Sequence, residues 1–238
     1  MTTFRKLLQN ELKCQVMLKT RCPCERVIMA GRSPAFERTY KEYLEQVAKI
    51  DVRSIKEKLG VRVEGNATII SLFGKPIRVS ARGIIDQSGQ RPSFDICVIL
   101  CKYLLLCPDS IPKETEWVAY RDLKDAGPLT VYFANDVERS IAARFSGRLR
   151  ELETAGKALG GCAPEIKLSN DFSMRFEALP RVSLLMLYND ADQEFPAQCS
   201  VLFQRSAERY LDAECLAMVG RLLFTNLETA AGGMLIRR

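Results

Sequence analysis

Residues 172–203, FSMRFEALPRVSLLMLYNDADQEFPAQCSVLF, decide the fold. Two apolar runs, 182–187 and 201–203, flank a compact acidic link, Asn189-Asp190-Ala191-Asp192-Gln193-Glu194, which Phe195-Pro196 closes. Short runs rich in Val, Leu and Tyr, bounded by turn residues, read as strands. The stretch is therefore a strand, an acidic turn, and a return strand or the start of a helix.

Upstream, short runs at 67–73, 77–80 and 83–86 are punctuated by Gly74-Lys75-Pro76 and Arg82-Gly83. That spacing predicts an antiparallel meander. Residues 92–107 are apolar nearly all round, which predicts a central, buried helix. Residues 116–133 read as extended. Asn135 or Asp136 can cap a helix running to about Leu159, where Gly160-Gly161 stops it. Nearer the N-terminus, residues 2–18 predict a short amphipathic helix and residues 20–34 a loop. Helices follow at 35–49 and 52–59, the second capped by Asp51 and stopped by Gly60. Downstream, 206–211 is a short helix. Asp212 caps a last one with a core stripe of Leu216, Val219, Leu223 and Leu227, and the tail 230–238 is expected to fray.

Helices and short strands mix without a regular βαβ alternation. This predicts an α+β fold, an antiparallel sheet packed with helices, rather than a doubly wound one. The expected organisation is an N-terminal helix and Cys-containing loop over 1–34 and a main domain over 35–238.

Composition narrows the function classes. With 47% hydrophobic and 27% charged residues, the 238-residue chain is of ordinary globular type. The net charge of +6 is spread thinly, with acids interleaved, which disfavours a nucleic-acid interface. The longest apolar run, 96–107, is broken by Lys102 and is too short to span a bilayer. No long apolar segment follows Arg5 and Lys6, so a cytoplasmic location and no membrane partner are expected. Histidine is absent. That removes the commonest general base and the Ser-His and Cys-His nucleophile pairs. Nine cysteines, odd in number and irregular in spacing, argue for reduced thiols over a disulfide framework. So many thiols suit an anaerobe.

Three constellations carry candidate chemistry. Cys14, Cys22 and Cys24 are thiolates close in sequence, the donor type that soft metals and iron–sulfur clusters need. The plain alternative is three reduced thiols near a chain end. Cys97 and Cys101 share one face of the apolar helix and read as small core residues. Asp190, Asp192 and Glu194 alternate on a tight link and can converge on a cation, or serve as an acid–base pair. The alternative there is a solvated turn that keeps two strands in register. Phe195 is expected to fold back and pin the loop. Asp192 and Glu194 are expected to face a pocket formed with Arg175 or Arg181.

The residues 178–180 (Ala-Leu-Pro), Asp192-Gln193-Glu194-Phe195-Pro196-Ala197, Leu202-Phe203 and Tyr210-Leu211-Asp212-Ala213-Glu214 form a further pattern. It resembles an uncharacterised domain family of anaerobic bacteria and archaea, over roughly residues 36–228. The segment from Trp117 to Leu123 is similar to that family's middle. Some members carry a cysteine-rich cluster segment beside the domain. The N-terminal cysteines here are fewer and differently spaced than a four-iron motif requires. The expected function is a ligand- or partner-binding accessory protein of anaerobic metabolism, binding a small molecule or a protein through the 190–196 turn and Arg181. The alternative is a metal- or iron–sulfur-dependent enzyme or redox protein. Self-association stays open.

Overall fold

The computed structural model describes residues 34–166 and 168–235. The expected helix at 2–18, the loop after it up to residue 33, and Cys14, Cys22 and Cys24 lie outside the described residues. Contacts among the described residues set those from Tyr43 onward apart as one compact unit, and helix α1 spans Pro34–Val47. From Tyr43 onward the chain builds two four-stranded antiparallel sheets packed with helices, an α+β fold. No described helix is long and apolar enough to cross a membrane.

Helix α2 (Val52–Leu59) is bounded as the sequence predicts. Asp51 Oδ1 accepts the Arg53 N–H at 3.1 Å, satisfying one of the donors that a first turn leaves free. Gly60 ends the helix at φ 66°, and the Val61 N–H reaches back to the Lys56 carbonyl at 3.0 Å, a left-handed stop that glycine adopts without strain. The last carbonyls then receive side-chain donors from far along the chain. Tyr103 Oη donates to Leu59 O at 2.6 Å. Arg181 donates through Nη2 to Glu57 O at 2.9 Å and through Nε to Lys58 O at 3.2 Å. Tyr210 Oη makes a longer approach to Lys58 O at 3.5 Å.

The first sheet is the expected meander, β1 (Arg62–Glu64), β2 (Ala67–Leu72), β3 (Lys75–Ser80) and β4 (Gly83–Ile85), in sequential order. Leu72 pairs with Lys75, so Phe73 and Gly74 alone make the β2–β3 turn. Both have positive φ, 47° and 75°, the backbone of the tight turns whose twist matches antiparallel strands. Phe73 is buried despite its strained backbone, and its N–H donates to Ala178 O at 2.9 Å. That bond ties the first sheet to the second.

Helix α3 (Phe94–Leu105) is the central apolar helix, with Cys97, Ile99, Leu100 and Cys101 buried as core residues. Strand β5 (Trp117–Ala119) is extended as expected. Residues 131–133 are not. They lie in a short helix α4 (Thr130–Phe133) that continues through a π-helical turn, Ala134–Glu138, into α5 (Arg139–Phe145). Packing overrides the β propensity of Val, Tyr and Phe here. Phe133 is buried and stacks on Tyr120 with ring centroids 4.3 Å apart and planes within 7°. The single helix expected to reach Leu159 is two helices. Gly147, at φ 68°, breaks it before α6 (Leu149–Ala158).

The second sheet runs β5-β8-β7-β6, with β6 (Phe172–Leu179), β7 (Val182–Asn189) and β8 (Gln198–Gln204). Strands β7 and β8 are the two foreseen runs. Strand β6 is an addition to them. Met174, Phe176 and Ala178 alternate inward along it, a period of two that marks a strand. The two-residue turn Pro180-Arg181 returns the chain into β7, with Leu179 paired to Val182 and the register slipping between Glu177 and Leu179. Helix α7 (Ala213–Leu235) is capped by Asp212, whose Oδ1 accepts the Cys215 N–H at 2.9 Å. The expected fraying from Ala230 does not occur up to Leu235. Leu227 and Ala231 stay fully buried, and that packing carries the helix through Gly232-Gly233.

Two substitutions test this packing. Tyr103→Phe strips the donor from Leu59 O and is expected to cost about 1–2 kcal/mol, read as a lower urea midpoint at unchanged slope. At Gly220, an added Cβ would run into the Phe133 ring, which is also stacked on Tyr120. Alanine gains about 1 kcal/mol of helix propensity, yet overpacking costs about 1–3 kcal/mol. Gly220→Ala is therefore expected to lower the midpoint. A raised midpoint would show that Phe133 can move aside.

Candidate functional site

The acidic link between β7 and β8 is held by its own carboxylates. Asp190 Oδ1 accepts the Ala191 N–H at 2.8 Å and the Gly147 N–H at 2.7 Å. The second bond fastens the turn to the loop between α5 and α6. Asp190 in turn donates its N–H to Asp171 Oδ2 at 2.9 Å. Asn189 Oδ1 accepts the Asp171 N–H and Asn170 Nδ2, each at 3.2 Å. Three chain segments thus converge on the start of the turn.

The tip is held separately. Asp192 Oδ1 accepts the Glu194 N–H at 2.8 Å and the Phe195 N–H at 2.7 Å, while the Asp192 N–H donates to Phe195 O at 3.0 Å. A short polar side chain that closes its own turn in this way is the usual reason for an aspartate there. The N–H of Phe195, and then that of Glu194, hold the Asp192 carboxyl below the usual aspartate range. The pinning expected of the Phe195 ring is done by Asp192 instead. The ring itself points outward, with 60% of the residue exposed.

Arg181 stands at the other end of β7, about 25 Å from the acidic turn at the usual strand rise. Its guanidinium is engaged by the carbonyls of α2. Arg175 lies within β6, where its Nη1 approaches Glu165 Oε1 at 3.5 Å and its backbone bridges Cys162. The structure therefore brings Asp190, Asp192, Glu194 and Phe195 together and leaves Arg181 and Arg175 out of their company. Among the described residues, no three His, Cys, Asp or Glu side chains gather as a metal site would need. The described thiols follow the same logic. Cys97, Cys101 and Cys215 are buried, and burial, with Cys97 adding to it, pushes Cys101 up to about 12. Such thiols are inert.

Two groups beyond the sequence reading shape this region. Glu138, in the π-helical turn, places Oε1 3.0 Å from the Val201 N–H. It fills the edge of β8 that β5, paired only at Leu202–Gln204, does not reach. Burial raises the Glu138 pKa. A glutamate inside an expected helix carries no signal of such a task. The second group is Lys102, whose Nζ lies 3.2 Å from Asp212 Oδ2 and 5.8 Å from the centre of the Tyr43 ring. Its position inside the apolar run was the signal that it needed a partner.

The turn has a pH signature. Asp192 holds the backbone more strongly as a carboxylate than as a neutral acid, and its folded pKa is depressed. The tip is expected to stay ordered above the ordinary aspartate range and to loosen as pH falls through the depressed value. An NMR titration of the Phe195 and Glu194 amides should show a shared midpoint below the ordinary aspartate value of 3.8. Asp192→Asn should remove that midpoint.

Comparison with curated proteins and with solved structures gave no match. A family model described as a domain of unknown function (DUF3786) matches residues 51–226, from the cap of α2 to the middle of α7. The match covers well over half of the chain, and the chain belongs to that family.

Proposed function

We propose that this chain is a partner-binding protein that presents the β7–β8 turn, led by Glu194 and Phe195, to the surface of another protein. The observation that carries this reading is an aromatic side chain, 60% exposed, standing on a turn whose backbone is held by side-chain acceptors. Aromatic anchors dominate protein interfaces because they bury much apolar area at little entropic cost. A tip ordered before binding loses less freedom on docking. The flanking acids, Asp192 and Glu194, are exposed, and their charge suits a basic rim on the partner. The setting we infer is cytoplasmic and oxygen-poor, as an accessory protein of anaerobic metabolism. The nine cysteines support it, as does Cys162, which is free and exposed.

A photo-crosslinking residue at position 195 tests the reading in cells of the source organism. It is expected to capture one discrete protein, identified by mass spectrometry. The same residue at Val131, which is 71% exposed on α4, should not capture it. Phe195→Ala should weaken binding of that purified partner by about tenfold or more, as loss of an interface anchor does. No capture at 195, or equal capture at 131, would overturn the proposal.

A further inference from the structure

A cleft of about 160 Å³ opens where Pro180, in the β6–β7 turn, meets the first sheet. A cavity of about 150 Å³ takes a benzene-sized guest, so the space suits a small organic molecule or ion. Its walls are Ile69, Pro76 and Pro180. Gly60 and Gly74 leave their backbone bare on its lining. Two polar residues complete it, Arg62, which is exposed, and the half-buried Ser71.

The sheet register explains why these groups converge. Arg62 pairs with Ile69, and Ser71 pairs with Pro76. Alternation along the strands puts all four on one face, while Ile70, Leu72, Ile77 and Val79 turn to the core on the other. Arg78 shares the outer face but is taken by Glu64, with Nη2 to Oε2 at 3.0 Å. Among the described residues, the Arg62 guanidinium and the Ser71 hydroxyl make no hydrogen bond or ion pair. The walls are apolar, and Pro76 offers no N–H to compete for them. The negative end of α2 lies close by at Gly60 and would repel an anion. Arg181, bonded to the Glu57 and Lys58 carbonyls, offsets it. Its Nε lies 3.5 Å from where a Cβ on Gly60 would stand.

We propose that this cleft binds a small oxyanion, a carboxylate or phosphate group on a compact ligand. The Arg62 guanidinium and Ser71 hydroxyl donate to the oxygens, and Ile69, Pro76 and Pro180 take the ligand's apolar part. A planar guanidinium matches two oxygens of such a group at once. The site is independent of Phe195, which stands at the opposite end of β7.

Titration of the full chain with inorganic phosphate and, separately, with acetate tests this, followed by backbone amide NMR. Saturable shifts are expected at Gly60, Ser71 and Gly74. Arg62→Gln should weaken the response at least tenfold, and Ser71→Ala should weaken it less. Arg82→Gln, an exposed arginine on the β3–β4 turn of the same sheet, should leave it unchanged. Tighter phosphate binding would assign a phosphorylated ligand and tighter acetate binding a carboxylate. No shift with either anion, a response that survives Arg62→Gln, or an equal loss in Arg82→Gln would overturn the proposal.

Discussion

The end of one short helix organises this fold. Eight residues are too few for a helix to persist in water without tertiary support. The C-terminus of α2 would leave carbonyls that need partners. Tyr103 from the central helix, Arg181 from the β6–β7 turn and Tyr210 from the approach to α7 supply them. The two tyrosine rings lie 5.9 Å apart at their centroids. Burial, together with the neighbouring Tyr210, holds the Tyr103 hydroxyl well above the ordinary tyrosine range, so it remains a donor. Contacts between residues 44 to 152 positions apart in sequence thereby meet at a single helix end. Removing the Tyr103 hydroxyl leaves the buried Leu59 carbonyl without its side-chain donor.

Strand β7 divides two tasks between its ends. At Pro180-Arg181 polar groups turn inward, and the hairpin is locked against α2 by hydrogen bonds and by the close fit of Pro180 to Gly60. At Asp190–Pro196 the carboxylates hold the backbone and leave the ring of Phe195 to solvent. The first end sets where the strand lies, and the second projects from it. A projecting turn is only as well placed as the strand behind it. The clamp on α2 and the tie from Asp190 to Gly147 together fix both.

Much of this architecture was legible in the residues. Asp51 and Gly60 bound α2 because capping is local chemistry that the sequence displays. The meander and the β7–β8 pair announce themselves by short apolar runs between turn residues. The legibility failed where long-range packing decides. Val131, Tyr132 and Phe133 have strand propensities, yet Phe133 must stack on Tyr120, and the helix that achieves this has no local signature. Gly147 is a stop signal that helical periodicity on either side concealed. The acidic turn was visible as a turn, and its carboxylates were visible as a cluster. That Asp192 spends its oxygen on its own backbone depends on geometry at the scale of single ångströms. Arg181 is close to the acidic turn in sequence but lies the whole length of β7 away from it, a separation that sequence nearness conceals.

The glutamate at the open edge of β8 has a consequence for how copies of this chain behave in a crowd. A strand edge with free N–H and C=O groups is a template on which another chain can add a strand. Strand β5 covers only Leu202–Gln204, and Glu138 occupies the next free donor, Val201 N–H. It also sets a carboxylate where an incoming strand would lie. Desolvation makes that charge easier to lose than an ordinary glutamate's, so the guard against strand-to-strand aggregation is strongest near neutral pH and weakens in mild acid.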